Sequence, residues 1–176
     1  MSKKSSQIAV GGVFSALCLT LMFLTGVLPF LTYVVPMLAG AALVAVVVEN
    51  GRKTAVLVYV AVSLLSLLIV ADKQAVMLYI AFFGYYPILK QSLDKRKLLS
   101  YVVKFGLFNL TMVGGYYLLI YVLALPDLVS EMGDLGRWGS LLFLLTGNLL
   151  LLVFDWVLTK YTALYIRWFR PTFLRR

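Results

Sequence analysis

The chain contains no histidine and a single cysteine, and only seven of its 176 residues are acidic. Without histidine it lacks the side chain most used as a general base and as a metal ligand. One cysteine, Cys18, excludes an intramolecular disulfide and any zinc motif built on paired thiolates. Charge of either sign is scarce: Asp, Glu, Lys and Arg make up 13% of the residues, about half the share in a soluble domain. A soluble fold of this length needs more polar surface than that. Catalysis lacks its usual side chains here, so the chain is not expected to be an enzyme or to hold a metal or cofactor.

What the chain has is apolar length. Hydrophobic residues make up 62% of it, and they come as long blocks instead of alternating patterns, as lipid-spanning helices of about 20 residues require. Six blocks can be drawn, at 8–28, 34–48, 54–71, 75–89, 98–125 and 139–166. Pro29, the Glu49-Asn50-Gly51-Arg52-Lys53 turn, Asp72-Lys73-Gln74, Asp94-Lys95-Arg96-Lys97 and a mildly acidic connection at 126–138 separate them. The first block is too long for a signal-peptide core and reads as an uncleaved helix. The second is short for a crossing, and the last two exceed the bilayer thickness and are expected to tilt. The expected fold is all-α, with residues 1–176 forming one polytopic membrane domain, a bundle of six transmembrane helices.

Basic residues orient that bundle. The N-terminus, the turn at 49–53, the stretch from Lys90 to Lys104, Lys160 and the C-terminal tail carry fourteen of the sixteen Lys and Arg. Lys73 and Arg137 alone fall on the other side. Lys and Arg gather in cytoplasmic loops, so both ends are expected inside. The net charge of +9 then has its partner in anionic membrane lipid, and no nucleic acid is expected.

Polar groups inside the blocks are the costly ones. Asp155, in the sixth block, lies at the depth of Lys104 in the fifth, and the two are expected to form a buried ion pair; a coupling or proton-relay role and a hydrated charge at the interface are the other readings. Asn109 and Asn148 lie nearer the midplane, where they can bond across helices or contact a substrate. Asn148 and Asp155 are seven apart and share a helix face. Tyr33, Asp72, Lys73, Tyr116 and Trp138 lie on the outer side, as substrate contacts or as interfacial anchors and caps. Gly84-Tyr85-Tyr86-Pro87 reads as a kink with anchors at the inner end of the fourth block. Gly12 and Ala16 on the first helix, with Gly11 and Ser15 beside them, and Ala41 and Ala45 on the second are small residues at four-residue spacing. They suit close packing inside the bundle or docking on a partner.

The basic N-terminus, the Gly12–Ala16 spacing, Pro29, Pro36 and the Leu38-Ala39-Gly40 entry to a short second helix together resemble the substrate-binding, or S, component of energy-coupling factor transporters. The six blocks and the chain length agree. The resemblance implies a bacterial cell-membrane protein for vitamin uptake, which binds its small-molecule substrate from outside between the outer loops and the later helices. It also implies docking through the first helices, at Gly12, Ala16, Ala41 and Ala45, on an energy-coupling transmembrane subunit driven by two ATPases. A non-catalytic membrane scaffold or regulator of the same shape is the alternative.

Overall fold

The computed structural model describes residues 3–28, 31–93, 97–121 and 136–169. Every element among them is helical, as expected where lipid offers backbone groups no partner. In chain order they are α1 (Lys3–Thr25), α2 (Val34–Ile69), α3 (Lys73–Leu78), a π-helical turn π1 (Tyr79–Phe83), α4 (Tyr86–Leu93), α5 (Lys97–Tyr121), α6 (Gly136–Leu164) and a second π turn π2 (Tyr165–Phe169). Three stretches among the described residues are long and apolar enough to cross a membrane: Gln7–Thr25, Val34–Ile69 and Leu144–Trp168.

A straight α2 of 36 residues would extend about 54 Å, well beyond a hydrocarbon core of about 30 Å. It is not straight. Gly51 breaks it with φ 79° and ψ 173°, backbone angles that only glycine adopts without strain. Contacts with α1 show what the break does. Asn50 Nδ2 donates to the Gln7 carbonyl (3.1 Å) at the start of α1, and Gly11 lies against Thr54 and Val58. At the other end of α1, Gly26 lies against Ala71 and Thr32 donates to Asp72 (2.8 Å). The chain therefore doubles back at Gly51, antiparallel to α1 before it and parallel after it. Cys18, Met22, Leu43, Val46, Val62, Val76 and Tyr79 fill the space between these helices.

The expected fourth helix is three pieces. At π1 the hydrogen bond lengthens to five residues, Gly84 N–H to Tyr79 carbonyl (2.7 Å), before α4 restarts. The widened turn frees the Ile80 carbonyl, which accepts from Tyr59 Oη at 2.8 Å. Close approach to α2 requires the two glycines here: a Cβ on Gly40 would lie 2.2 Å from the Phe83 carbonyl oxygen, and one on Gly84 2.6 Å from the Tyr59 ring. A second core, built on Phe82, Phe83, Tyr86, Phe108, Phe154 and Leu158, joins π1 and α4 to α5 and α6. Its rings meet mostly edge to face, Phe82–Phe108 at 4.7 Å and Phe83–Phe154 at 5.0 Å.

The outside is as apolar as the inside. Leu68 is 81% exposed, Ile8 76%, and Leu57 and Leu110 71% each, while Lys90 and Lys104 are buried. Water would not tolerate that distribution, and lipid accommodates it.

Candidate functional site

The charged side chains buried in the described residues converge on Asp155. Its Oδ1 accepts from Tyr86 Oη at 2.6 Å and from Lys104 Nζ at 3.1 Å, and it forms a closer ion pair with Lys90. Lys90 Nζ also donates to the Asp155 backbone carbonyl at 2.9 Å. Three elements supply the group: α4 brings Tyr86 and Lys90, which are four residues and so one helical turn apart; α5 brings Lys104; α6 brings Asp155. The expected Lys104–Asp155 contact is present, within a larger cluster. Lys90, assigned from sequence to the basic flank, is 7% exposed, and Tyr86, read as an interfacial anchor, is 1% exposed. The Tyr86–Lys90 spacing was the available signal, since it puts both residues on one face with the aromatic core. Tyr85, its neighbour, is half-buried and meets Thr111 Oγ1 at 3.4 Å.

Asn109 and Asn148 form a closed pair. Each Nδ2 donates to the other's Oδ1 at 3.0 Å. The remaining amide hydrogens go to carbonyls four residues back, Phe105 at 2.8 Å and Leu144 at 2.7 Å. Both donors of each amide are thus used inside the bundle, and the pair ties α5 to α6 with none left for a substrate.

The Asp72–Lys73 turn is likewise committed within the fold. Asp72 Oδ1 accepts from Ala75 N–H at 3.0 Å and caps α3, while Oδ2 accepts from Thr32. Lys73 Nζ donates to the Leu67 and Val70 carbonyls, both at 2.8 Å, and closes the end of α2. Tyr33 Oη accepts from Gln74 Nε2 at 3.0 Å and is otherwise half exposed. The side chains of Tyr116 and Trp138 and the outer connection at 122–135 lie outside the described residues.

The small residues divide by face. Gly11 packs on α2, whereas a Cβ on Gly12 would meet nothing within 4 Å and Ala16 is exposed. On α2, where close packing and docking were both open, Ala45 is fully buried and Ala41 packs against the second core. Beside them Gly40 brings α2 onto the Phe83 backbone of π1.

A cleft of about 290 Å³ opens beside the Asp155 cluster, toward the Asn50 end of the bundle. Val44 of α2, Pro87, Lys90 and Gln91 of α4, Thr159, Thr162 and Ala163 of α6, and Ile166 of π2 line it. No group of three or more His, Cys, Asp or Glu side chains able to hold a metal occurs among the described residues. Comparison with protein-family models, with curated proteins and with solved structures finds no match.

Proposed function

We propose that this chain crosses the bilayer six times with both ends cytoplasmic and acts as the substrate-binding subunit of an energy-coupling-factor-type importer. In this reading it captures a vitamin-like small solute from outside and docks on an energy-coupling transmembrane subunit served by ATPases. The hairpin at Gly51 supports two crossings within α2, and residues 73–93 together rise about 30 Å, enough for another. The observation that carries the docking role is the face of α1 bearing Gly12 and Ala16. It is open, while the adjacent small residue Gly11 is used internally. A flat small-residue face lets another transmembrane helix approach closely.

The test is co-purification of the tagged chain from its native membrane in mild detergent. A larger membrane subunit and a pair of ATPases should accompany the wild-type chain and be lost from the Gly12→Leu, Ala16→Leu double variant. Because a side chain at Gly12 meets nothing within the fold, that loss would report docking and not misfolding. A second reading, a non-catalytic scaffold or regulator, is favoured by the closed Asn109–Asn148 pair and the capped Asp72–Lys73 turn. Purification of the wild-type chain alone and without solute would select it.

A further inference from the structure

We infer that the cleft between α4 and the end of α6 is a binding site for one anionic glycerophospholipid, with the headgroup phosphate held by Lys90 and Gln91.

Charge selects the sign of the ligand. Behind the cleft, Lys90 and Lys104 both turn their ammonium groups to Asp155, and it is Lys90 that also lines the cleft. Lys90 donates twice to Asp155, and an ammonium has three donors, so one remains for a ligand. Lys90 lines the cleft, and next to it Gln91 adds an amide with two N–H donors. A phosphodiester oxygen is the acceptor that best matches an ammonium and an amide side by side. Lys160 and Arg167, both exposed on this end of the chain, raise the local positive potential further.

The rest of the lining selects lipid over a free anion. Val44, Pro87, Ala163 and Ile166 are apolar, and the cleft is half open to the outside of the bundle. An inorganic ion gains nothing from such walls, whereas the glycerol backbone and first methylenes of a lipid do. Position agrees. The α6 and π2 lining residues fall within the last turns of the apolar stretch Leu144–Trp168, where a crossing helix leaves hydrocarbon for headgroups. Thr159 and Thr162 spend their hydroxyl hydrogens on the Asp155 and Leu158 carbonyls at 2.8 and 2.7 Å. Their oxygens are therefore acceptors toward the cleft, which suits a headgroup carrying hydroxyls.

The test is native mass spectrometry and thermal unfolding of the full chain in detergent, titrated with phosphatidylglycerol, phosphatidylcholine or inorganic phosphate. One phosphatidylglycerol should be retained in preference to phosphatidylcholine and should raise the unfolding temperature. Lys90→Met should weaken retention about tenfold or more, the value of a charge-assisted hydrogen bond. Because Lys90 also supports Asp155, two variants probe the cleft without that contact. Ala163→Phe, at an exposed position, should block the cleft, and Gln91→Leu should weaken retention several-fold. Equal retention of both lipids, or undiminished phosphatidylglycerol binding by folded Ala163→Phe protein, would overturn the inference. So would equal stabilisation by inorganic phosphate, which would make the site one for a free anion.

Discussion

Tyr79 and Tyr86 are buried to the same degree on consecutive elements, yet their hydroxyls stand in opposite situations. Tyr86 Oη donates to Asp155, while Tyr79 Oη is buried with no hydrogen-bond partner. Tyr86→Phe should therefore destabilise the protein by about 1.5–3 kcal/mol, the worth of a hydrogen bond to a charged group. Tyr79→Phe should be neutral or stabilising by about 1 kcal/mol, because it removes a desolvated hydroxyl that gains nothing in return. Chemical unfolding of both variants in the same detergent compares them directly; equal losses would refute the distinction. Asp155→Asn is the sharper case, since it leaves Lys90 and Lys104 facing a neutral amide. A loss of about 3–5 kcal/mol is expected, and the Lys90→Met, Asp155→Asn double variant should recover part of it. Retained stability in Asp155→Asn would instead point to a carboxylate kept for coupling.

At the scale of elements, the glycines separate contact from tolerance. Gly40→Ala places a methyl group on the Phe83 backbone and should cost about 1–3 kcal/mol or more. Gly12→Ala meets nothing and should stay within about 0.5 kcal/mol of wild type. Unfolding midpoints measured side by side decide it, and a costly Gly12→Ala would show that this face is packed after all. The same elements show how much was legible beforehand. The turn at Asn50-Gly51 announces itself through a breaker pair between apolar blocks, and the expected edges of α1 and α6 fall within a few residues of those observed. Asn109 and Asn148 were legible as partners from their depth in adjacent blocks, although the sequence left bonding and substrate contact both open. The restart of the fourth block at Tyr86 falls within the kink read at Gly84-Tyr85-Tyr86-Pro87, but the π turn before it was not legible. That turn follows from long-range packing, in which Tyr59 claims the Ile80 carbonyl and α2 presses on Phe83 through Gly40. Lys90 was misread for a related reason, because charge counting assigns lysines to loops without knowing that a carboxylate waits on a distant helix.

For the whole molecule the lesson is an exterior of Leu, Ile and Val around an interior that holds the ion pairs. Its one cysteine, Cys18, is fully buried and donates to the Ala39 carbonyl at 3.3 Å, so introduced cysteines can report orientation against a silent background. If both ends are cytoplasmic, as proposed, an impermeant maleimide added to intact cells should label Ala71→Cys and leave Arg52→Cys untouched until the membrane is opened. Labelling of Arg52→Cys from outside would invert the proposed topology.

The Asp155 cluster also has a direction in time. Synthesis delivers Lys90 first, then Lys104, and the carboxylate they share only with α6. While ribosomal elongation is still short of that helix, both lysines must be accommodated by the insertion machinery or by water at the membrane surface. Arrival of Asp155 lets them settle, and it seats Phe154 and Leu158 in the aromatic core in the same movement. A chain cut short ahead of α6 therefore leaves both lysines without the one carboxylate they share, and truncation there removes more than a single helix.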